Sequence, residues 1–177
     1  MLIVARSMKE LSVPRLMEIY EEGSRKTGAA RYPWESPSRQ QALAEEDFRE
    51  YLFQVFFREK DAVYLAWEVD GRYVSALRLE PYQDGFLLEG LETAPGQRRK
   101  GYASRLLREA QAYLAEQGPV RLYSHVDKGN TPSLRTHFAC GFHRHLDYAR
   151  YIDGSVDSRS VTLLYTSADS QKNEEIP

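Results

Sequence analysis

Leu91-Glu92-Thr93-Ala94-Pro95-Gly96-Gln97-Arg98-Arg99-Lys100-Gly101-Tyr102-Ala103-Ser104 is the stretch that decides the fold. An apolar run ends near Thr93, a loop with proline and glycine follows, and from Gly101 the apolar spacing turns helical. A strand that feeds a helix through such a loop has the parts of an anion site. The N–H groups of the first helical turn have no intrahelical acceptors, and the helix dipole adds partial positive charge at that end. Gly101 and small Ala103 let a phosphate approach the backbone, while Arg98, Arg99 and Lys100 bring mobile positive charge around it. The chemistry suits a pyrophosphate.

Two familiar phosphate loops fail on spacing. Gly96 and Gly101 make the G-x-x-x-x-G of a Walker loop, but Tyr102 and Ala103 follow where that motif needs Lys and a hydroxyl. The dinucleotide fingerprint G-x-G-x-x-G is absent, and the strands before the loop have antiparallel rather than parallel signals. A nucleic-acid patch at Arg98–Lys100 lacks interleaved aromatic platforms and a basic balance over the chain.

Upstream, Ala62–Val69, Tyr73–Leu79 and Phe86–Thr93 read as three strands joined at Asp70-Gly71 and Asp84-Gly85, a meander of tight turns. Before them, Leu2–Ala5 suits a strand, and Ser12 with Pro14 suits a helix start whose stripe is Leu16, Ile19 and Tyr20. Gly23–Pro37, with its glycines, prolines, Tyr32 and Trp34, reads as a long loop. A second helix then carries Leu43 or Ala44, Phe48, Leu52, Val55 and Phe56 on one face. Downstream, the Gly101 helix buries Tyr102, Leu106, Ala110, Tyr113 and Leu114 and stops at Gly118-Pro119. Val120–Val126 is reached through that helix, so it should lie parallel to the Phe86–Thr93 strand. A short helix over Pro132–Cys140 and strands near Phe142–Tyr151 and Val161–Tyr165 complete the order.

The chain has 177 residues, 42% of them apolar and 12% aromatic, enough for one domain with a buried core, expected over residues 1–166. The polar stretch 167–177 is expected to be a flexible tail. With 24 Lys and Arg against 26 Asp and Glu, the net charge of −2 gives no global field to attract nucleic acid or acidic membranes. No apolar run reaches the roughly 20 residues of a membrane span, and the first residues are too short for a signal peptide. A lone cysteine, Cys140, has no partner for an internal disulfide. The expectation is a cytoplasmic protein, monomeric or homodimeric, without nucleic-acid or membrane partners.

Arg98, Gly101 and Ala103 resemble the cofactor motif of the GNAT acetyltransferase superfamily, which runs Gln or Arg, two variable residues, Gly, one variable residue, then Gly or Ala. Leu91–Pro95 resembles the strand end before that motif, although Thr93 stands where Val is usual. Asn130, Ser133, His137 and Gly141-Phe142 resemble the family's second block: Asn, a small residue, Tyr or His, then Gly-Phe. The element order above is also the family's. The resemblance implies an α/β fold, a mixed, mostly antiparallel sheet of about seven strands flanked by about four helices. It implies acetyl-CoA as co-substrate and no metal. It places the pantetheine against the backbone of Leu91, Glu92 and Thr93, and the pyrophosphate on Arg98, Arg99, Lys100, Gly101, Tyr102, Ala103 and Ser104, with Asn130 and Ser133 as further cofactor contacts.

The implied reaction is direct attack of a small-molecule, amino-acid or peptide amine on the acetyl thioester. It needs a deprotonated amine, a polarised carbonyl and a proton for the thiolate. Backbone N–H groups near Leu91–Thr93 suit the carbonyl. His137, at the position where most members carry Tyr, resembles the phosphinothricin acetyltransferase type and is expected as the acid. A thiol titrates near 8.5 and a histidine near 6.5, so the imidazolium is a competent donor. Glu89 and Glu92, three apart on one strand, should face opposite ways. Glu89, between Leu87 and Leu91, is the expected base, with its pKa raised by partial desolvation. Tyr32 and Trp34 are the expected acceptor contacts. Two rivals remain: a non-catalytic acyl-CoA sensor with the same cleft, and a zinc site from His137, Cys140, His143 and His145. Cys140 itself reads as core.

Overall fold

The computed structural model describes residues 1–167, so residues 168–177 of the expected tail lie outside the described part. The elements are β1 (Leu2–Ala5), α1 (Val13–Arg31), α2 (Pro37–Gln54), β2 (Val63–Val69), β3 (Arg72–Tyr82), β4 (Gly85–Thr93), α3 (Tyr102–Ala115), β5 (Arg121–Asp127), α4 (Thr131–Ala139), β6 (His143–Leu146), β7 (Ala149–Arg150), β8 (Val156–Asp157) and β9 (Ser160–Thr166). Seven strands form a mixed sheet in the order β1-β2-β3-β4-β5-β9-β6, and β7 with β8 makes a separate two-stranded ribbon. This is the expected α/β architecture. The contacts divide it into two units, Met1–Arg78 with Gly90–Tyr102, and Leu79–Glu89 with Ala103 onward.

In the first unit β1 and β2 pair antiparallel from Leu2↔Trp67 to Ala5↔Tyr64. Asp70 and Gly71 both take left-handed φ, 48° and 73°, the geometry of the two-residue turn that their identities favour. Leu16, Ile19, Leu52, Phe56 and Tyr64 fill the core; burying a side chain of this size fully is worth about 1.5–3 kcal/mol. The expected loop over Gly23–Pro37 is mostly helix: α1 runs through Gly23 and Gly28 to Arg31, leaving only a short turn before α2. The reason is packing. A Cβ on Gly28 would lie 2.3 Å from the Gln40 carbonyl oxygen, so glycine here lets α1 and α2 approach backbone to backbone, and tertiary contact overrides its weak helix propensity.

In the second unit β4 and β5 run parallel, as expected, with Phe86↔Leu122, Leu87↔Tyr123 and Leu88↔Ser124 in register. β5 continues antiparallel to β9 from Arg121↔Thr166 to Asp127↔Ser160. At the turn before β4 the left-handed residue is Gln83, at φ 50°. Gly85 is bare for another reason: a Cβ there would sit 2.1 Å from the Arg121 carbonyl oxygen, closing off the approach of β5. The stripe of α3 buries Leu106, Leu107, Ala110 and Leu114, whereas Tyr102 and Tyr113 stay part-exposed. Among the described residues no helix is long and apolar enough to cross a membrane.

Candidate active site

The loop between β4 and α3 is fastened by Arg98. Its Nη2 donates to Glu22 Oε2 at 2.9 Å and Glu92 Oε1 at 3.0 Å, and its Nε to the Thr93 carbonyl at 3.2 Å. The Arg98 hydrogen bond holds the Glu22 carboxyl below its ordinary pKa. Arg98 is therefore not the mobile cation that the motif suggested; two carboxylates offset its charge, and it ties the loop to α1 and to the end of β4. The Glu92 carbonyl accepts from Ser75 Oγ at 2.7 Å, and Thr93 Oγ1 lies 3.1 Å from the same hydroxyl, so these strand-end groups are partly committed to β3. Leu91 is half-buried.

Beyond Arg98 the backbone twists through two left-handed residues, Arg99 at φ 62° and Gly101 at φ 82°. Turns of this handedness gather successive N–H groups into a concavity that suits an anion. A Cβ on Gly101 would meet nothing within 4 Å, so open space stands over the loop. Arg99, Lys100 and Gly101 are exposed, and Tyr102, Ala103 and Ser104 half-exposed. Lys100 Nζ reaches back to Gln97 Oε1 at 2.8 Å.

In the second unit Asn130 caps α4, its Oδ1 accepting from Ser133 N–H at 3.2 Å. His137 is 1% exposed. Its Nδ1 lies 2.8 Å from the Ser133 carbonyl, which can only accept, so the proton sits on Nδ1. Nε2 then accepts from Ser124 Oγ at 3.0 Å. Burial pushes the His137 pKa down, and the Ser133 bond offsets this only in part. The ring edge meets Phe142 at 5.0 Å. Cys140 is buried with its Sγ 3.5 Å from the Ser104 carbonyl, and burial raises its pKa.

Glu89 follows the last β4–β5 pair and is half-buried. Its charge opposes the burial that lowers the pKa of His125, a ring enclosed between Tyr82 and Tyr151. Gly90, the next residue, has φ 61°. A left-handed glycine within a strand breaks the two-residue alternation, so the parity argument that set Glu89 and Glu92 on opposite faces does not carry across it.

Tyr32 is committed to the α1–α2 turn, where its hydroxyl donates to Asp47 Oδ2 at 2.6 Å. Trp34 is 75% exposed and meets the edge of Tyr32. A cavity of about 410 Å³ in the first unit is lined instead by Tyr20, Asp47, Phe48, Tyr51 and Arg78 among others. Sequence reasoning missed these. The available signal was Arg78, a charge within the apolar strand Tyr73–Leu79. Among the described residues no group of three or more His, Cys, Asp or Glu side chains could hold a metal ion, so His137, Cys140, His143 and His145 do not converge.

Residues 18–142 match the acetyltransferase (GNAT) family. The chain is 34% identical over 107 residues to an aminoglycoside N(6')-acetyltransferase type 1 from Serratia marcescens, covering 55% of this chain and 73% of that protein. Among solved structures it resembles the PaiA N-acetyltransferase from Thermoplasma acidophilum in complex with coenzyme A, with a TM-score of 0.64 and 19% identity over 94% of this chain and 99% of that one. The ribosomal-protein-S18-alanine N-acetyltransferase from Escherichia coli gives a TM-score of 0.60 at 16% identity, with 94% of each chain covered. The structural likenesses speak for the fold, and the family match spans more than half of the sequence, from α1 to the Gly141-Phe142 pair: the chain belongs to the GNAT acetyltransferase family and is an N-acetyltransferase.

Proposed function

We propose that this chain transfers the acetyl group of acetyl-CoA to a primary amine by direct attack of the amine nitrogen on the thioester carbonyl. The observation that carries this is the backbone of Arg98–Ala103, with left-handed Arg99 and Gly101 leading into α3 and open space at Gly101. Such a turn offers several N–H donors to a pyrophosphate at once, and the dipole of α3 adds to them. Arg99 and Lys100 supply charge at the rim, while Arg98 acts by holding the loop. Asn130 and Ser133 serve by starting α4. The Serratia relative, by its name, acetylates an amine, which agrees with an amine acceptor here.

His137 fits a positioning role better than the acid expected of it. Its buried ring is favoured in the neutral form, with Nδ1 and Nε2 both bonded, and it links α4 to β5 through Ser124. A leaving thiolate whose thiol titrates near 8.5 can take its proton from water. Glu89, beside the end of the β4–β5 pairing, is the base on this reading.

Thiol release on mixing acetyl-CoA with a panel of amines tests the reaction, and the rise in melting temperature on adding acetyl-CoA alone tests the binding. Gly101→Val should remove that rise, because a branched side chain fills the open space and resists φ 82°. An undiminished rise in the folded variant would refute the assignment of the loop.

A further inference from the structure

His137 and His125 treat their ring nitrogens in opposite ways. Both nitrogens of His137 are paired, with the Ser133 carbonyl and the Ser124 hydroxyl. Nδ1 and Nε2 of His125 are buried, and neither has a hydrogen-bond partner. Buried polar side-chain atoms are paired in the large majority of cases, so a ring with two orphan nitrogens calls for a ligand or a water. The hydroxyls around it donate elsewhere. Tyr82 donates to the Arg150 carbonyl at 2.6 Å. Thr162, opposite His125 in the β5–β9 register, donates to the Tyr148 carbonyl at 2.7 Å. Tyr123, two residues back on the same face of β5, donates to Asp84 Oδ1 at 2.6 Å.

The imidazole is instead held by rings. Tyr82 meets it nearly at right angles with centroids 5.8 Å apart, and Tyr151 does so at 5.0 Å. Tyr151 opens the turn between β7 and β8, the two strands that form a sheet of their own. That turn closes on itself: Tyr151 N–H donates to the Ser155 carbonyl and Gly154 N–H to the Tyr151 carbonyl, each at 2.9 Å. The cover of His125 therefore belongs to a small separate ribbon. Burial disfavours the charged imidazolium, and the negative charge of Glu89 opposes that loss of charge. The same negative charge favours any other cation beside the ring, as do the faces of aromatic neighbours, whereas a carboxylate would meet repulsion.

We propose that His125 is an acceptor-binding residue: its unprotonated ring nitrogen takes a hydrogen bond from the primary ammonium group of the acceptor when Tyr151 swings off the ring. The inference rests on the acetyltransferase reading above. The bond is made before the chemistry and leaves His125 unchanged. In the transfer the amine nitrogen loses its proton to the base and bonds the acetyl carbon, the carbon–sulfur bond breaks, and the thiolate gains a proton. A neutral imidazole suits this task, because it accepts from the ammonium without competing for its charge.

The test is nitrogen NMR of the protein isotopically labelled in its four histidines, at saturating coenzyme A and again without it, the His125 signals being those that vanish in H125F. n-Butylammonium, tyramine, spermidine and kanamycin are added in turn, with n-butanol and butyrate as probes that lack the ammonium. At least one amine should move the unprotonated His125 nitrogen further than either of these does. Tyr151→Ala should lower the amine concentration at the midpoint of that change, since no cover has then to be displaced. In thiol release, H125F should raise the KM of the amine used best by about tenfold or more, the scale of a hydrogen bond to a charged group. The KM of acetyl-CoA should stay unchanged, and H125N or H125Q, which keep an oxygen acceptor, should retain part of the amine affinity. A His125 nitrogen that ignores every amine, as expected of a ring that holds only water, would overturn the proposal. So would an equal response to butanol or butyrate, or an amine KM that H125F leaves alone, and a midpoint that Tyr151→Ala does not lower would overturn the part given to Tyr151. If acetyl-CoA does not raise the melting temperature, the transferase reading fails by itself, while the shifts measured without coenzyme A still decide the role of His125.

Discussion

Gly23 and Gly28 lie in the same helix, and helix propensity alone makes the same prediction for both: replacement by alanine should stabilise by about 0.8–1 kcal/mol. Their surroundings say otherwise. A Cβ on Gly23 meets nothing within 4 Å, so Gly23→Ala should show the full gain. On Gly28 the new carbon would stand 2.3 Å from the Gln40 carbonyl oxygen and 2.5 Å from its carbon. A carbon–oxygen contact relaxes only at about 3.3 Å, so α1 and α2 must part by about 1 Å. The obstacle is backbone, which cannot rotate aside. Overpacking of this kind costs about 1–3 kcal/mol, and at the upper end the net loss is about 2 kcal/mol after the propensity gain. For a chain of this size each kcal/mol moves the melting temperature by about 2–4 °C. Gly28→Ala should therefore melt about 4–8 °C below the parent and Gly23→Ala about 2–4 °C above it. Calorimetry on the two variants in parallel reads both signs. A Gly28→Ala variant that melts at or above the parent would refute the close helix approach.

Two histidines, His137 buried and His125 half-buried, set a pH dependence. The folded-state pKa of His137 lies below its unfolded value near 6.5, so the folded state binds fewer protons and stability is full above that value and lost as pH falls through the depressed one. His125 acts in the same direction. Melting temperature should fall from pH 7 toward pH 5, and His137→Gln should flatten that slope; an unchanged slope would remove His137 as its source. Glu89→Gln should cut kcat by about a hundredfold or more, the usual worth of a general base, while acetyl-CoA still raises the melting temperature. A kcat close to the parent's would dismiss Glu89 as base.

The strands were legible because alternation and Asp70-Gly71 are local signals, and β4, α3 and β5 followed from a change of period at Gly101. The α1 continuation was not, since Gly23, Gly28 and the prolines carry loop signals and only the partner carbonyl at Gln40 explains a buried helical glycine. Asp84-Gly85 marked the right turn for the wrong cause: Gln83 takes the left-handed backbone and Gly85 makes room for Arg121. In the site, the charges of Arg98 and the ring of His137 were visible in sequence, but their partners were not. Glu22 lies 76 residues from Arg98 along the chain, and no spacing rule joins Ser124 to His137. The cavity was hidden for the same reason, because its residues come from two helices and a strand that become neighbours only on folding.

Cys140 gives the protein a built-in optical silence. It is the chain's only cysteine, 6% exposed, with a thiol whose pKa burial raises, and a thiolate rather than a thiol is what reacts with colorimetric disulfides. The native enzyme should add almost no colour of its own when liberated coenzyme A is titrated with such a reagent. Unfolding, by contrast, should release one equivalent per chain, so the same reagent that counts turnovers also counts denatured molecules.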